Sequence, residues 1–423
     1  MTFASLMQYS VERDAGHKPW DSHKKGHTRN EADPTRYEPT LWLLRPKDAC
    51  EPRMSTQIRA AIIGTGFIAG VHAHAVRAAG GEVVAVLGSG SNATASGVQA
   101  MGAQRGAADL AELLAATDVD VVHICTPNRT HTEMAQATLA AGKHVICEKP
   151  LATSVTDARQ LTELAQQAGR VASVPFVYRF YASVREARNQ LARDAAGPLW
   201  LLHGTYLQDW LSAREATNWR MDPALGGASR AFGDIGVHWC DLMEFTTGHR
   251  IVRLAAQLGS AYPQRGVGNG MDGLAEHKAG LTEDGAVVVF QTDRGAMGSV
   301  VVSQVSPGRK NRLWFSFDGP DASYSFDQEA PESLWIGARD QNVVLMRGTD
   351  IFGQPASTYS RLPAGHPQGY QDAFNAYVCD VYAAVGGDPP DGLPVFDDGL
   401  RAAILTQAVV DASTSQTWIE VLK

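Results

Sequence analysis

The residues best placed for chemistry lie where a short apolar run meets an acid, a base and a proline. Val145–Cys147 is typical of a parallel strand buried on both faces, and Pro150 ends it because proline offers the ladder no N–H. Glu148 and Lys149 therefore follow the strand directly. Ligands of open α/β sheets bind beyond the carboxyl ends of the strands, so Lys149 is our first candidate for catalysis. A solvated lysine beside a helix-capping turn is the alternative.

A second candidate group lies further along the chain. If the chain is helical from Asp234 onwards, Asp234, His238 and Asp241 share one face at i, i+4 and i+7. Such a titratable face could serve acid–base catalysis. The alternative, which spacing alone slightly favours, is an N-capping Asp234 next to a core histidine.

A glycine-rich turn near the start of the regular pattern is typical of dinucleotide binding. Ala60–Ile63 is expected to be a buried strand that turns at glycines into a helix. Gly64 allows a tight turn, and Gly66 lets the backbone approach a pyrophosphate. The helix start at Phe67 and Ile68 offers that pyrophosphate free N–H groups and the positive end of the helix dipole.

The end of the second strand bears on the choice of cofactor. Glu82–Leu87 is expected to be that strand, and an acid that holds the ribose hydroxyls commonly stands about 20 residues after the glycines. Here the chain reads Gly88–Asn92, with Ser89 in the loop and no acid. Hydroxyls and backbone N–H groups can hold a 2′-phosphate, but no arginine in the loop requires one. We therefore expect the cofactor to be NAD or NADP.

Strands and helices alternate as far as Phe180, which indicates a doubly wound parallel sheet with right-handed crossovers. Its last strand is expected at Val171–Tyr178. A succession of strand-like runs follows one further helix, and it indicates a second α/β domain with a large, mostly antiparallel sheet, one face on helices and the other open. The expected domains are a loose, flexible N-terminal extension over 1–55, a dinucleotide-binding domain over 56–178 and a substrate-binding and oligomerisation domain over 179–423.

Composition excludes several classes of function. The chain has 423 residues, 44% of them apolar, and a net charge of -8 without a basic segment, which argues against nucleic-acid binding. Its five cysteines include no close pair, so we expect neither a disulfide framework nor a zinc motif, and a reducing cytoplasm suits them. No run is apolar and long enough to span a bilayer. We expect a cytoplasmic protein with no metal and no membrane partner.

Several short motifs stand out along the chain. They are GTGFIAG (Gly64–Gly70), CTPN (Cys125–Asn128), EKP (Glu148–Pro150), the strand end Tyr178–Phe180 and GDIGVH (Gly233–His238). Together they resemble the family of glucose-fructose oxidoreductase, inositol dehydrogenase and the rhizopine-catabolism protein (Gfo/Idh/MocA). The resemblance covers roughly Gln57 to the C-terminus. It implies an N-terminal Rossmann domain, a C-terminal α/β domain whose open sheet serves assembly, and a nicotinamide cofactor.

Carried over by position, the resemblance also implies roles for single residues. Lys149 and His238 would bind and activate the reacting carbinol, with Asp234 beside them. Residues near the ribose and nicotinamide would be Thr126, Pro127, Asn128, His131, Glu148 and Lys149. Tyr178 and Arg179 would lie at the floor of the domain junction, next to the substrate.

Two stretches indicate a sugar or polyol as substrate. Gly204–Trp210 and Asn218–Arg220 resemble the branch of the family that acts on pyranose sugars such as levoglucosan. An aromatic face stacks on a sugar ring, and amide or charged groups bond its hydroxyls, although a tryptophan at a strand end is often only part of the core. The candidate substrate residues are Gln208, Trp210, Trp219 and Arg220.

Arg230 and the acid-free loop after the second strand depart from the family pattern. Arg230 stands where small and apolar residues are usual, and we expect it to be either a substrate contact or a surface charge. NAD-preferring members commonly have an acid at this position, and this chain lacks it. The choice between NAD and NADP as cofactor therefore stays open.

The leading hypothesis is hydride transfer between a nicotinamide and a secondary alcohol of a sugar, sugar derivative or cyclitol. The cofactor takes the hydride, Lys149 supplies positive charge near the alkoxide, and His238 takes the proton. One alternative is a glycosidase that oxidises its sugar transiently with NAD and eliminates the glycosidic bond. Another is a catalytically silent NAD(P) sensor, against which the retention of Lys149 and His238 argues. The open sheet face predicts a homodimer or homotetramer.

Overall fold

The computed structural model describes residues 57–216, 218–262, 265–267, 276–278, 282–348 and 350–421. The expected N-terminal extension, residues 1–55, lies outside the described residues.

The N-terminal half contains a parallel sheet of six strands. They are β1 (Arg59–Ile63), β2 (Glu82–Leu87), β3 (Arg105–Gly106), β4 (Val121–Ile124), β5 (His144–Cys147) and β6 (Ala172–Ser173). The strands lie in the order β3-β2-β1-β4-β5-β6, and every pairing is parallel. Ala60, Ile62 and Val122 have no exposed surface, as expected for strands covered on both faces. The switch in strand order between β1 and β4 creates the crevice where such sheets bind ligands.

Five helices connect these strands. They are α1 (Phe67–Ala78), α2 (Ser91–Met101), α3 (Leu110–Ala115), α4 (His131–Ala140) and α5 (Val155–Ala168). Asp109 and Ser154 cap α3 and α5 by accepting hydrogen bonds from the N–H groups of Glu112 and Asp157. The alternation of strand and helix confirms the predicted doubly wound α/β fold.

The last parallel strand is much shorter than expected. We predicted Val171–Tyr178, but only Ala172–Ser173 pairs with β5, and Val177–Phe180 forms a turn of 3₁₀ helix. Pro175 explains the difference, because a proline inside the run has no N–H to give to the ladder. The 3₁₀ turn carries the chain into the second half. We keep the boundary near Tyr178 as a proposal.

The second half is built on a sheet of nine strands. They are β7 (Leu201–Leu207), β8 (Ile251–Gly259), β11 (Gly285–Thr292), β12 (Met297–Ser303), β13 (Arg312–Asp318), β14 (Ser323–Asp327), β15 (Ser333–Gly337), β16 (Asn342–Met346) and β17 (Ile419–Glu420). A separate pair, β9 (Arg265–Val267) and β10 (Glu276–Lys278), was not predicted. The order of the large sheet is β16-β15-β14-β13-β7-β12-β11-β8-β17, with one parallel pairing, between β12 and β7. The predicted mostly antiparallel sheet is confirmed.

In the described part of the chain, helices cover one face of this sheet and leave the other open. They are α6 (Ala182–Leu191), α8 (Val237–Thr247) and α10 (Phe396–Ser415). The short α7 (Pro223–Gly226) contacts the 3₁₀ turn that starts at Asn128, and α9 (Tyr370–Val385) packs against α1. Along β11 buried and exposed residues alternate, with Val288 and Phe290 in the core and Val287 and Val289 exposed. The buried face thus holds α8, which carries His238, and the turn before it, which carries Asp234, against the carboxyl edge of the parallel sheet.

Candidate active site

Lys149 and Asp234 join the two halves of the protein. Lys149 follows β5, and its Nζ donates to Oδ1 of Asp234 at 2.5 Å and to the backbone carbonyl of Asp234 at 2.9 Å. Each side chain is 15% exposed. An ammonium group has three N–H bonds, so one of them remains for a substrate oxygen.

Asp234 is held as an anion by several groups. Gln304, which follows β12, donates from Nε2 to Oδ2 at 2.8 Å, and Nε of Arg220 lies 3.7 Å from Oδ1. Burial by itself would raise the pKa of Asp234, but the charges of Lys149 and Arg220 bring that pKa well below its usual range. Asp234 is therefore a fixed counter-charge that orients Lys149.

His238 is the candidate base. Its ring is 7% exposed and packs edge-on against Phe176 and Tyr178, with centroid separations of 5.6 and 5.2 Å. In the described part of the chain neither ring nitrogen has a hydrogen-bond partner, and Nδ1 is fully buried. Burial, followed by the charge of Lys149, lowers the pKa of His238 to about 3, although Asp234 opposes the shift. The imidazole is therefore neutral at pH 7, and one of its ring nitrogens carries a lone pair with no donor among the described residues.

The helix that carries these residues begins with a wide turn. Phe232–Gly236 is a single π-helical turn that runs directly into α8, so Asp234 and His238 lie near the helix start. A Cβ added to Gly236 would lie 2.4 Å from the ring of Phe232, so the tight contact at this turn requires glycine. Asp241 does not join Asp234 and His238 as expected, because it pairs with Arg179 instead.

Arg179 and Arg230 belong to buried ion pairs. Nε of Arg179 donates to Asp241 at 2.8 Å, and Nη2 lies 2.7 Å from Asp398, so Arg179 does not contact Lys149, Asp234 or His238. Arg230 is 2% exposed and donates to the backbone carbonyl of Glu283 and to Asp284. The expectation of a surface charge at Arg230 is wrong, because the buried Asp284 compensates its guanidinium.

The glycine turn offers an open cradle for a dinucleotide. A Cβ on Gly66 would meet no atom within 4 Å, whereas one on Gly64 would lie 2.5 Å from the carbonyl of Cys125. Gly64 also has a φ of 108°, which favours glycine. Phe67 is 84% exposed and, with Ile68, starts a helix of 12 residues. The free N–H groups at that start and the space above Gly66 fit a pyrophosphate.

Ser89 is exposed at the end of β2, beside Gly88. The backbone N–H of Gly88 donates to Oγ1 of Thr94 at 3.0 Å, and a Cβ on Gly88 would lie 2.6 Å from the N of Thr94. Ser89 is therefore one of the exposed positions in this loop from which a side chain could contact a ribose.

The CTPN segment is braced mainly through His131. Its Nδ1 lies 2.7 Å from the carbonyl of Pro150, and its Nε2 lies 2.8 Å from the carbonyl of Thr126. His131 has no exposed surface, so it positions the CTPN and EKP loops and does not reach a ligand itself. Pro127 is exposed. The amide of Asn128 donates to the carbonyl of Gly226 at 2.9 Å, so this bond links the CTPN segment to the second half of the protein.

Glu148 is buried beneath this edge. It is 7% exposed, and its carboxylate contacts Nε2 of His72 at 3.1 Å and accepts from the N–H of Lys149 at 3.1 Å. Burial would raise the pKa of Glu148, but His72 and Lys149 lower it below its usual range. The carboxylate thus carries its charge at the end of β5.

Tyr178 belongs to a polar network that also holds Gln208. The Tyr178 hydroxyl is bonded to the hydroxyl of Tyr206 and accepts from the amide of Asn311 at 3.2 Å. Gln208 donates to Oδ1 of Asn311 at 2.8 Å and accepts from the indole N–H of Trp210 at 2.8 Å. Three of the predicted substrate residues are therefore linked, with Tyr178 against His238 and Trp210 40% exposed at the surface.

Trp219 and Arg220 stack on each other at the same site. The guanidinium carbon of Arg220 lies 4.4 Å from the centre of a Trp219 ring, and both side chains are half-buried. Since Arg220 also reaches toward Asp234, the pair stands where a substrate held by Lys149 would come to lie. Gln208, Trp210, Trp219 and Arg220 thus remain the proposed substrate contacts.

Sequence reasoning missed Gln304, Tyr206, Asn311 and the His72 partner of Glu148. For Gln304 a signal was present: with Val300 and Val302 it occupies alternate positions that face the core, and a glutamine at a core position calls for a function. Asn311 lies in a turn and shows no such pattern.

The described residues contain neither a metal-binding cluster nor a membrane-spanning helix. Among the described residues no group of three or more His, Cys, Asp or Glu side chains could hold a metal ion. No helix in the described ranges is apolar and long enough to cross a membrane.

Comparison with known proteins agrees with the geometry. Residues 58–176 match the model of the oxidoreductase family with an NAD-binding Rossmann fold, and residues 184–325 match the Gfo/Idh/MocA C-terminal domain. Levoglucosan dehydrogenase of Pseudarthrobacter phenanthrenivorans is 28% identical over 341 residues, which cover 77% of this chain and 86% of that protein. The 1,5-anhydro-D-fructose reductase of Ensifer adhaerens is 32% identical over 349 residues, covering 81% and 91%.

A solved structure of levoglucosan dehydrogenase in complex with NADH and L-sorbose superposes with a TM-score of 0.80 at 25% identity. The match covers 87% of this chain and all of that one. Together with the two family models, this likeness covers both sheets and the site between them. The chain therefore belongs to the Gfo/Idh/MocA family of oxidoreductases, and its N-terminal domain is an NAD-binding Rossmann domain.

Proposed function

We propose that this oxidoreductase transfers a hydride between a nicotinamide cofactor and a secondary alcohol of a sugar, sugar derivative or cyclitol. The observation that carries the proposal is the cluster of Lys149, Asp234 and His238 at the carboxyl edge of the parallel sheet. Among the described residues, this cluster holds a lysine with one N–H left for a substrate beside a neutral histidine without a hydrogen-bond partner.

The chain's own residues handle the substrate oxygen and its proton. Lys149, already neutralised by Asp234, donates its remaining N–H to the alcohol oxygen and stabilises the alkoxide. His238, which is neutral at pH 7 and has no hydrogen-bond partner among the described residues, accepts the hydroxyl proton as the substrate oxygen bonds to Lys149. The bound cofactor supplies the hydride acceptor at the substrate carbon. In the reverse direction the same groups return the proton.

The wall of the site supports a carbohydrate substrate. Trp210 and the stacked Trp219 offer aromatic faces, and Arg220 offers hydrogen-bond donors. The names of the relatives, levoglucosan dehydrogenase and 1,5-anhydro-D-fructose reductase, support the same class, and inositol 2-dehydrogenase 3 of Saccharopolyspora erythraea extends it to cyclitols.

A substrate screen tests the proposal. Purified protein is incubated with pyranoses, anhydrosugars and inositols, each with NAD and with NADP, and absorbance at the reduced-nicotinamide band is followed. We expect turnover with at least one class, and turnover lower by about 100-fold or more in Lys149→Ala. Glycosides with a chromogenic aglycone belong in the same screen, because aglycone release without net reduction of NAD would indicate a glycosidase. Cofactor binding with no turnover of any class would contradict the proposed function.

We also propose that the protein assembles as a homodimer or homotetramer through the open face of the nine-stranded sheet. Valines and methionines stand exposed on β11, β12 and β16, among them Val287 (51%), Met297 (51%) and Val344 (58%). Exposed apolar side chains concentrated on one sheet face favour a second copy as the partner.

A further inference from the structure

A line of buried polar side chains crosses the Rossmann domain and ends at Glu148. The hydroxyl of Tyr382, from α9, lies 3.1 Å from Nε2 of His123 in β4. Nδ1 of His123 lies 2.9 Å from Nδ1 of His72 in α1, and Nε2 of His72 lies 3.1 Å from the Glu148 carboxylate. Both histidines have no exposed surface, and Tyr382 is 4% exposed. The proposed hydride transfer uses none of these three residues.

Counting hydrogens gives this line a direction. Each imidazole, when neutral, donates from one nitrogen and accepts at the other. If Tyr382 donates to His123, His123 must donate to His72, and His72 must donate to Glu148, which is then an anion. The reverse order requires a protonated Glu148 and leaves the Tyr382 hydroxyl hydrogen with no acceptor in the described part of the chain. Only in the first order does every hydrogen on these buried polar groups have an acceptor.

The surroundings of Glu148 favour the same order. Its second oxygen accepts the backbone N–H of Lys149, so both oxygens are acceptors. The charge of Lys149 also favours the carboxylate form. Glu148 is therefore an anion fixed by donors on both sides, directly before the catalytic lysine.

We propose that Tyr382, His123 and His72 are positioning residues that keep Glu148 ionised, and that its charge favours binding of oxidised over reduced nicotinamide. The inference rests on the proposed function, which brings the nicotinamide to the carboxyl edge that Glu148 underlies. The oxidised ring carries one positive charge that the reduced ring lacks. A fixed anion therefore stabilises the oxidised form selectively, and a neutral residue in its place does not.

The expected size of the effect follows from electrostatics. At an effective dielectric constant of about 20, the attraction between two unit charges about 10 Å apart changes a binding constant on the order of ten-fold. The preference for oxidised cofactor, expressed as the ratio of the two dissociation constants, should shift by about that factor when the charge is removed.

The experiment is to measure the dissociation constants of NAD and NADH for the full-length protein and its variants by calorimetry without substrate. Glu148→Gln removes the charge, and His72→Met removes the donor that holds it. Both are expected to shift the ratio toward NADH by about ten-fold. His72→Gln keeps an N–H donor for Glu148 and is expected to stay near the wild-type ratio. His74→Met is the matched control, since His74 lies on the same helix and bonds to Asn375 instead.

Each outcome decides a separate point. An unchanged ratio in Glu148→Gln would overturn the role of the charge. A shift in Glu148→Gln without one in His72→Met would overturn the role of the histidines. If His72→Met does not fold, Tyr382→Phe replaces it, because it removes only the terminal hydroxyl and is expected to shift the ratio in the same direction. Wild-type protein that binds neither NAD nor NADP, in oxidised or reduced form, would instead contradict the proposed function itself.

Discussion

At the scale of single residues, Lys149 and His238 act on one substrate oxygen in the proposed reaction. Lys149→Ala and His238→Ala should each lower kcat by roughly 10²- to 10⁴-fold, with little change in cofactor affinity. Because the two residues work as a unit, the double variant should be little worse than the poorer single variant. Steady-state kinetics and nucleotide titration of the three variants measure both quantities.

Lys149→Arg is the sharper control for this prediction. Arginine keeps the charge but delivers it in a different geometry and cannot lose its proton. Near-normal turnover in Lys149→Arg would show that Lys149 serves only as a fixed charge. Near-normal turnover in Lys149→Ala would remove it from catalysis.

The burial of His238 predicts that the protein loses stability in acid. Burial lowers its pKa to about 3 in the folded protein, whereas an unfolded histidine titrates near its ordinary value of about 6.5. Between these values the unfolded chain binds a proton that the native protein does not, so stability falls as the pH falls below about 6.5. By pH 4 the loss should approach about 3 kcal/mol.

The measurement is urea unfolding at pH 7 and pH 4. His238→Gln should lose less stability over that interval than the wild type, because it has no imidazole to protonate. His203→Gln, which changes a half-buried histidine on β7, is the matched control and should follow the wild type. Equal losses in wild type and His238→Gln would contradict the buried neutral histidine.

At the scale of elements, the start of α1 should govern cofactor binding. Gly66→Val places a side chain in space that is open in the protein but needed by a pyrophosphate, so the variant should fold normally and bind nucleotide at least ten-fold more weakly. Thermal melting and NADH titration measure the two effects. Gly259→Val, also without neighbours within 4 Å but on β8, should leave binding unchanged. Unchanged affinity in folded Gly66→Val would place the pyrophosphate elsewhere.

The loop after β2 should set the choice between NAD and NADP. Ser89→Asp adds a carboxylate that bonds ribose hydroxyls and repels a 2′-phosphate, so the NADP to NAD ratio of kcat/KM should fall. Ser89 is the position to change, because a side chain at Gly88 would collide with the backbone of Thr94. Ser89→Ala is the neutral control. A ratio that does not fall in Ser89→Asp would separate this loop from the ribose.

At the scale of the whole molecule, the open sheet face should govern assembly. Light scattering at micromolar concentration should give a dimer or tetramer mass for the wild type. Val287→Lys with Val301→Lys places charges on that face and should lower the mass. Leu164→Lys, at an exposed position on α5, is the matched control and should leave the mass unchanged. A monomer mass for the wild type would contradict the proposed assembly.

The amino-acid sequence by itself determined the fold class and the position of Lys149 at the end of a buried strand. The alternation of buried strands with helices, the glycine turn and the proline after Lys149 are local features, and each acts through periodicity or backbone chemistry. The same locality explains the error at Val171–Tyr178, where the strand-like run outweighed Pro175. The edges of the strands expected at Ala60–Ile63, Glu82–Leu87 and Val145–Cys147 were therefore predicted within one residue.

Only the tertiary structure decided which side chains meet. Gln304 lies 70 positions from Asp234, and His72 lies 76 from Glu148, so no local pattern links either pair. The structure also separated Asp241 from Asp234 and His238 by giving it Arg179 as a partner. Helical spacing places side chains on one face, but the packing of the second sheet against the carboxyl edge of the first determines what that face contacts. Such contacts depend on packing between elements that are distant in the sequence, and the pattern of residues within one element does not specify that packing.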